Sequence, residues 1–492
     1  MHRFWLADRI TPVQEVSVLS HRLVTPLALA AILVIPCVDA AHAAAEWVLA
    51  PVGSSGFAQG HNATSVAVDG QGQSRIAYYE GVGRDLVYAE KTAGGWVLTT
   101  VDTTGDTGRW ASLEIDSQGN PHIAYYYFLD PNDAPICDLK YAWRSGGAWT
   151  IQTVEATNNI GEYCSLELDS QNNPHISYYD NTNGNLRYAR KSGGTWTPES
   201  VEATGNVGLY SALALDAANN PRIAYQDFGT AGADGHLRYA SKSGSTWTLE
   251  TPSGATFVNA LFISLDLDSQ GRPHIAYYDQ NNQRTRYATK PTTTWSHGIA
   301  QAVGAELHGS FCSIEIGEGD VPHLGYYDVF ENAVRYAIKN ANGGAAWAPQ
   351  VVDEIGPQGP WTSLALDANG FPHMSFYAPA ITEVVSAFFT DNTSDTFQER
   401  QAFMSLDAFP NPVRASTQLV LRTPRSVPVG LTVMDARGRL VRSFAARELS
   451  PGTHSFAWDG RDETGTPVAA GVYFAVTRPE WLATARKLVV VR

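Results

Sequence analysis

A short motif recurs seven times along the chain at nearly constant spacing. It first appears as "SRIAYY" at Ser74, and relatives of "PHISYY" follow at Pro121, Pro174, Pro221, Pro273, Pro322 and Pro372. The intervals are 47, 53, 47, 52, 49 and 50 residues. Self-similarity at a fixed period marks repeats that cannot bury their hydrophobic faces alone, and this period is about the length of a four-stranded propeller blade.

Each repeat divides into the same parts, for which residues 165–201 serve as the example. The alternating segment "SLELD" leads through the turn "SQNNP" into "HISYYD", and after a polar loop "NLRYARK" leads through "SGG" into "TWTPESV". Alternation of apolar and polar residues between turn residues predicts four short antiparallel strands, with no helical period between them. Each repeat therefore predicts one meander blade.

A tryptophan marks the last strand of six repeats: Trp96, Trp149, Trp196, Trp247, Trp295 and Trp347. The seventh repeat offers only Phe397 at this place, while Trp47 in "EWVLAPV" has the pattern of a last strand without the three before it. The strand around Trp47 is therefore predicted to complete the seventh blade and close the ring, which removes its open edge. The alternative is that Phe397 completes the blade. The predicted fold is an all-β, seven-bladed propeller over residues 46–392.

The balance of charge excludes some classes of partner. The 492 residues include 34 basic and 49 acidic side chains, a net charge of −15. Such a chain is not attracted to nucleic-acid backbones or anionic lipid, so no nucleic-acid partner is expected.

The N-terminus has the order of a secretory signal peptide. Arg3, Arg9 and Arg22 precede an apolar run at 27–38 and then the small residues of "DAAHAAAEW". The run is too short for an ordinary membrane-spanning helix, so residues 1–45 are predicted to be a cleaved signal, with no membrane insertion afterwards. A short N-terminal membrane anchor is the alternative.

Three cysteines remain after such cleavage: Cys137, Cys164 and Cys312. In an oxidising compartment an odd count leaves at least one of them unpaired, and Cys137 with Cys164 is the favoured bridge because the two lie in neighbouring repeats. The sequence contains no CxxC or HExxH pattern. Neither a metal site nor a cofactor is therefore expected.

Two sets of repeated residues are predicted to be structural. The first tyrosine of each pair shares a strand face with an aliphatic residue two positions earlier, as Tyr178 does with Ile176, and such a face packs on a neighbouring blade. An aspartate and an arginine recur as Asp180 with Arg187, Asp227 with Arg238, Asp279 with Arg286 and Asp328 with Arg335. A hairpin brings each pair together, so it serves as a brace within one blade. The alternative is that Asp180, Asp227, Asp279 and Asp328 are repeated ligand sites.

A third set lies where the chain crosses from one blade into the next, as in "GEYCSL". It consists of Trp110, Tyr163, Tyr210, Phe262, Phe311 and Trp361, with Ala63 at the same place in the first blade. In a meander this crossing and the loop after "YYD" lie on the same face of the disc. Aromatic platforms beside acids and amides suit sugar rings, so these six residues are the main candidates for ligand binding. The alternative is a ring of aromatic side chains that plugs the central channel.

The "PHIAYYD…LRYA…W" units resemble the repeats of bacterial extracellular propellers of the sialidase-like and fucose-lectin-like groups. Sialidases carry S-x-D-x-G-x-x-W boxes and a single-copy arginine triad, whereas the turns of this chain lack the closing tryptophan and its arginines are repeated. Glycoside hydrolysis needs one asymmetric set of catalytic groups. The asymmetric candidates Arg109, Glu162, His308 and residues 128–137 do not form a recognisable set, so no catalytic residue is assigned.

The C-terminal region, from "FPNPVRASTQLVL" through "SFAWDGRDETGTPVAAGVYFAV" to "ARKLVVVR", resembles the immunoglobulin-like domain of flagellar hook-capping proteins and the related sorting domains of type IX secretion substrates. Short alternating strands separated by polar turns predict the same small β-sandwich, over residues 409–492, with a linker at 393–408. The resemblance implies secretion or sorting machinery as a partner and attachment to the cell surface.

These observations lead to one main hypothesis about function. It is a secreted or cell-surface binding protein whose propeller recognises an extracellular ligand, a glycan or another surface polymer, and whose C-terminal domain serves secretion or attachment. An exo-acting glycosidase or lyase, and a structural or adhesive surface component, are the alternatives.

Overall fold

The fold is described from a computed structural model of the chain. It describes residues 46–54, 64–128, 137–157, 159–229, 235–254, 257–302, 305–339, 346–353, 361–378, 382–390, 405–409, 411–423, 427–435, 437, 439–450, 452–478 and 485–491. The predicted signal, the Phe397 alternative and most of the predicted linker lie outside these residues. No described segment forms a helix long and apolar enough to cross a membrane.

Seven sheets follow the seven sequence repeats, and each contains an antiparallel arrangement of four strands. Blade 1 comprises β2 (Thr64–Val68), β3 (Ser74–Glu80), β4 (Asp85–Thr92) and β5 (Gly95–Asp102), and blade 2 comprises β6 (Asp106–Ile115), β7 (Pro121–Phe128), β8 (Cys137–Ser145) and β9 (Ala148–Glu155). Blade 3 comprises β10 (Ile160–Leu168), β11 (Pro174–Asp180), β12 (Asn185–Ser192) and β13 (Thr195–Glu202), and blade 4 comprises β14 (Val207–Leu215), β15 (Pro221–Asp227), β16 (His236–Ser243) and β17 (Thr246–Glu250). Blade 5 comprises β18 (Ala260–Leu267), β19 (Pro273–Asp279), β20 (Arg284–Thr289) and β21 (Ser296–Ile299). Blade 6 comprises β24 (Gly309–Gly317), β25 (Val321–Asp328), β26 (Ala333–Lys339) and β27 (Ala346–Asp353), and blade 7 comprises β28 (Thr362–Leu366), β29 (Pro372–Ala378), β30 (Glu383–Thr390) and β1 (Glu46–Ser54). Blade 6 also carries β22 (Gln301–Ala302) and β23 (Ala305–Glu306) beyond β27, and a single 3-10 turn, Glu318–Asp320, precedes β25.

The first strand of the propeller completes its last blade. β1 pairs antiparallel with β30, with Trp47 opposite Phe389. The Trp47 ring also packs edge-on against Tyr336 of blade 6 at 5.3 Å, as Trp347 packs against Tyr287 one blade earlier at 5.5 Å. The closure predicted from Trp47 is therefore confirmed, and the seventh blade has no missing outer strand.

The repeated aromatic residues fill the spaces between blades. The first tyrosine of each pair is at most 1% exposed: Tyr78, Tyr125, Tyr178, Tyr225, Tyr277 and Tyr326. Each outer-strand tryptophan from blade 2 onward contacts the third-strand tyrosine of the preceding blade, as Trp196 contacts Tyr141 at 5.2 Å. Burial of such a ring contributes about 2 kcal/mol or more, so both sets are explained by packing alone.

Serine hydroxyls link the innermost strands around the central channel. In blade after blade the hydroxyl accepts a hydrogen bond from a backbone N–H of the next blade, at 2.9–3.1 Å. The accepting residues are Ser65, Ser112, Ser165, Ser264, Ser313 and Ser363. Ser363 of blade 7 accepts from Val66 of blade 1, so the series closes the ring. Blade 4 has Ala212 at this place and supplies no hydroxyl to blade 5.

The C-terminal region forms a β-sandwich. One sheet comprises β31 (Ser405–Phe409), β32 (Thr417–Thr423) and β35 (Gly452–Trp458), and the other comprises β33 (Val427–Asp435), β34 (Leu440–Leu449), β36 (Gly471–Arg478) and β37 (Ala485–Val490). Trp458, Leu431 and Val433 lie at its centre, each at most 1% exposed. β31 includes four residues that the sequence analysis placed in the linker, because its short apolar pattern follows no turn signal.

The hydrogen bonds from backbone N–H groups to serine hydroxyls of the neighbouring blade lead to a matched pair of stability predictions. Ser165→Ala leaves the buried N–H of Leu213 without its acceptor and should lower the free energy of unfolding by about 1–3 kcal/mol. Ala212→Ser supplies the hydroxyl that blade 4 lacks and should raise it by about 0.5–1.5 kcal/mol. Urea unfolding followed by tryptophan fluorescence measures both changes. An unchanged free energy of unfolding in Ser165→Ala would contradict the stabilising role of the serine hydroxyls.

Candidate functional site

The six aromatic residues of the blade crossings all adopt the same unusual backbone. Their φ angles are 50–53°, and 81° for the last: Trp110, Tyr163, Tyr210, Phe262, Phe311 and Trp361. This left-handed region costs an aromatic residue free energy. In blades 2 to 6 the pairing of the first two strands shifts register at this place, so a β-bulge turns the ring toward the channel.

Glycine two positions earlier allows the bulge to lie close to the preceding blade. A Cβ atom at Gly161 would come within 2.9 Å of the Leu139 backbone, and one at Gly208 within 2.8 Å of the Leu186 backbone. Both glycines also have φ above 100°. The glycines of the "GEYCSL" and "GLYSAL" motifs are therefore required by the geometry that presents the aromatic ring.

The six rings lie side by side at one end of the channel. Neighbouring ring centroids are 3.7–5.2 Å apart, from Trp110 through the series to Trp361. Together with the residue that follows each of them, they line an open cavity of about 160 Å³. Each ring keeps part of its surface exposed. We call this cavity the aromatic bowl. Ala63, the corresponding position of blade 1, lies outside the described residues.

A polar corner adjoins the bowl between blades 2 and 3. Glu162 precedes Tyr163 in sequence and accepts a hydrogen bond from Asn181 Nδ2 at 2.8 Å. Burial raises the pKa of the Glu162 carboxyl, while hydrogen bonds from Asn181 and Asn159 and the charge of Arg109 act in the opposite direction. The blade crossing and the loop after "YYD" therefore meet on one face.

Arg109 is held in place within this corner. Its Nε and Nη2 atoms donate to Asp106 at 2.9 and 2.5 Å, and its guanidinium lies over the rings of Tyr79 and Phe128. The other asymmetric candidate, His308, lies apart from this corner, where it bonds to the Gln283 carbonyl at 3.0 Å. Residues 129–136 of the insertion lie outside the described residues.

The four candidate aspartates are turned into their own loops. Asp180 and Asp279 are 3% and 0% exposed, and each accepts hydrogen bonds from an asparagine three residues later. Asp328 accepts backbone N–H groups of its own loop, and Asp227 accepts one from Gly229. These contacts correspond to the bracing role, and at the buried Asp180, Asp279 and Asp328 they leave little carboxylate surface for a ligand.

The pairing predicted for these aspartates is right in only two blades. Arg286 pairs with Asp279 and Arg335 pairs with Asp328. The predicted pairs Asp180–Arg187 and Asp227–Arg238 do not form. Arg187 instead contacts Glu155 at 2.7 Å and Arg238 contacts Glu202 at 2.6 Å. Both glutamates end the outer strand of the preceding blade, where they also accept the hydroxyl of the first tyrosine. These arginines therefore link neighbouring blades.

Carboxylates inside the channel form a feature that the sequence reasoning missed. Glu114, Glu167, Asp266 and Glu315 stand four residues after the aromatic residue of their blade, and each lies close enough to influence others across the channel. Burial raises all four pKa values, that of Glu114 to about 8 and that of Asp266 to about 6, and repulsion by other channel carboxylates adds to the rise for Glu114, Glu167 and Glu315. The glutamate at the third position of "SLEID", "SLELD" and "SIEIG" is the sequence signal of this feature, but the strand pattern alone does not show that the side chains converge.

The three cysteines are free and buried. The favoured bridge between Cys137 and Cys164 does not form, since the Cys164 thiol donates to the Trp110 carbonyl at 3.1 Å. Burial raises the pKa of Cys164 to about 12. In the described part of the chain, no group of three or more His, Cys, Asp or Glu side chains is arranged to hold a metal ion.

Comparison with known proteins identifies the C-terminal region. Residues 414–477 match the family model of the FlgD Ig-like domain. The basal-body rod modification proteins FlgD of Salmonella typhimurium and Salmonella typhi are each 44% identical to this chain over 45 residues. The match covers 9% of this chain and 19% of each relative.

Several solved structures align with more than half of the chain. PorZ, a bacterial surface component of the type-IX secretion system of Porphyromonas gingivalis, covers 85% of this chain over 64% of its own length, with 11% identity and a TM-score of 0.38. An ulvan lyase covers 68% of this chain over 94% of its own length, at 13% identity and TM-score 0.46. An α-L-arabinofuranosidase of Fusarium graminearum covers 57% over 92%, at 13% identity and TM-score 0.41.

The channel carboxylates predict an unusual dependence of stability on pH. Because their pKa values are raised in the folded state, the unfolded chain loses these protons first as the pH rises, and stability is lost between the ordinary pKa near 4.5 and the raised values. Glu167→Gln should therefore stabilise the protein at pH 8, where the unfolded chain has lost this proton, and should raise the urea midpoint above that of the wild type.

The comparison at low pH provides the control. Below pH 4 both forms carry no charge at this position, so wild type and Glu167→Gln should unfold at nearly the same urea concentration. A difference between them that does not change with pH would show that the substitution acts by packing.

Proposed function

We propose that the protein is an extracellular binding protein whose aromatic bowl takes a sugar residue of a glycan. The observation that carries this proposal is the left-handed backbone of Tyr163 and its five counterparts around an open cavity. Strain of this kind costs on the order of 1–3 kcal/mol per residue, and it persists only where the surrounding structure or a function maintains it.

The geometry favours a binding site over a simple plug. A plug could be built from aliphatic side chains on ordinary extended backbone, whereas here the rings line an open depression and keep part of their surface exposed. At about 160 Å³ the bowl is smaller than the ~300–1,000 Å³ of drug-sized sites and suits one sugar ring of a longer chain. Ring faces stack on the C–H groups of a sugar, and the polar corner supplies hydrogen-bonding groups at the rim.

A binding role also fits the symmetry of the site better than catalysis. The residues that line the bowl are aromatic, aliphatic, thiol-bearing or hydroxyl-bearing, and none of the described lining residues is a carboxylate. Hydrolysis of a glycosidic bond uses a pair of carboxylates on either side of it. The six similar positions around the ring instead favour recognition.

We propose further that the protein acts outside the cell and that its C-terminal sandwich directs its sorting or attachment. The signal-like N-terminus supports export. The match of residues 414–477 to the FlgD Ig-like domain supports an assembly role for the sandwich. The machinery that would recognise it is a proposal that rests on the sequence resemblance to type IX sorting domains.

The first test removes one aromatic side chain without straining the backbone. Trp361→Gly deletes the side chain at a φ of 81°, which glycine adopts without strain, so the fold should be kept. Affinity for bound glycans on an array should fall by more than about tenfold, or ~1.4 kcal/mol.

A matched control lies on the loop after β25. Phe330 is 59% exposed and does not line the bowl, so Phe330→Ala should leave the affinity unchanged. Retained binding in Trp361→Gly would contradict the proposed site. Release of sugar products when the protein is incubated with a glycan would show that the protein is an enzyme and contradict the proposed binding role.

The sorting role is tested by removing residues 405–492. If the sandwich directs attachment, the shortened protein should reach the medium or the periplasm but not the cell surface, as followed by surface labelling and cell fractionation. Surface display equal to that of the full chain would refute the proposal.

A further inference from the structure

We infer that the aromatic bowl is built for a positively charged amino sugar. This inference rests on the proposed function, because it names the class of glycan that the same bowl would take. Its evidence is the charge around the bowl and the distribution of cations over aromatic rings in the rest of the propeller.

The rim of the bowl presents a carboxylate whose direct partners are neutral. Glu162 accepts from Asn181 at 2.8 Å and from Asn159, and its burial disfavours the ionised form. In the described part of the chain it forms no ion pair within 4.0 Å. A ligand that brings an ammonium group would supply the missing positive charge.

The positive charge nearest to this carboxylate is already neutralised. Arg109 makes a two-point contact with Asp106, at 2.9 and 2.5 Å, and is covered by Phe128 at 5.3 Å. A guanidinium in such a contact has its donors occupied. The corner therefore offers an acidic ligand little attraction.

The rest of the propeller supplies a comparison for the rings of the bowl. On the outer strands, a lysine or arginine lies 5.3–5.8 Å from the ring centroid of each of five tryptophans: Trp96, Trp149, Trp196, Trp247 and Trp295. No described side chain places a cation over the bowl rings Tyr163, Tyr210, Phe262, Phe311 or Trp361. An ammonium group from a ligand would fill this place, since aromatic faces attract cations.

The floor below the bowl adds to the same preference. The channel carboxylates Glu114, Glu167, Asp266 and Glu315 follow four residues further along the innermost strands. Even partly ionised they give the channel a negative potential, in a chain whose net charge is −15. Such a potential attracts cations and repels uronic or sialic acids.

The test compares four oligosaccharides on the full chain by isothermal titration calorimetry. They are fully N-trimethylated chitotetraose, whose charge does not depend on pH, N-acetylchitotetraose, cellotetraose and tetragalacturonate. The trimethylated tetramer should bind about tenfold more tightly than the N-acetylated one, and the preference should shrink with added salt.

Glu162→Gln is the matched variant, since it keeps the shape of the side chain and removes its charge. The preference for the trimethylated tetramer should fall to about threefold, while affinity for N-acetylchitotetraose stays the same. Choline alone should bind far more weakly than the trimethylated tetramer; equal affinity would assign the site to a free ammonium compound and overturn the amino sugar.

The outcomes separate this inference from the proposed function. If N-acetylchitotetraose, cellotetraose or tetragalacturonate binds as tightly as the trimethylated tetramer, and Trp361→Gly abolishes that binding, the bowl is a glycan site but the inferred charge preference is wrong. An unchanged preference in Glu162→Gln also overturns the inference. If none of the four binds, both proposals fail.

Discussion

Each blade of the propeller depends on its neighbours for the burial of both faces and for a hydrogen bond to its innermost strand. A four-stranded sheet alone leaves one apolar face and one row of backbone N–H groups exposed. In this protein the serine hydroxyls of six blades accept an N–H group of the next blade, and the tryptophan of one blade packs on the tyrosine of another. The arrangement of the blades around the channel depends on these contacts, because each blade is stabilised by its two neighbours in the ring.

Closure of the ring is therefore a condition for the site as well as for the fold. β1 joins blade 7 from the other end of the propeller sequence, and the Ser363 hydroxyl of blade 7 accepts the backbone N–H of Val66 in blade 1. The closed ring holds the six aromatic residues in a left-handed backbone, and in blades 2 to 6 the bulge that carries the residue lies against the preceding blade. A more flexible scaffold would relax such residues into extended backbone and lose the bowl.

Spacing along the chain was enough to predict what repeats. The number of blades, the closing role of Trp47 and the common position of Tyr163 and its counterparts could be read from the sequence, because each follows from the period and from strand alternation. The partners of charged residues across two blades could not be predicted in this way. Asp180 stands seven residues from Arg187, yet the arginine reaches Glu155, which only the packing of blade 3 on blade 2 brings near.

The channel carboxylates illustrate the same limit. Glu167 reads as a polar residue on the outer side of an alternating strand, and in an isolated sheet it would face water. Only the closed ring turns that side inward, where Glu114 and Glu315 meet it and burial raises their pKa values. The role of a residue within one strand can thus be assigned from the sequence. Contacts across the channel axis depend in addition on the radius of the closed ring, which the strand pattern does not give.

The alternation of the innermost strands also explains how one corner of a repeated scaffold can acquire charge. The aromatic residue, the serine two positions later and the aliphatic residue after that are each fixed by contacts with a neighbouring blade. The position before the aromatic has no such contact in common, and it holds Arg109, Glu162, Leu209, Leu261 and Ser310 in successive blades. Because this position can vary without loss of a hydrogen bond between blades, it can hold a charged residue in some blades, as with Arg109 and Glu162, and a neutral residue in the others. The residues that stabilise the ring and those that vary at the rim of the bowl are thus different residues of the same strand, so that under the proposed binding role selectivity can change while the ring that supports the bowl stays the same.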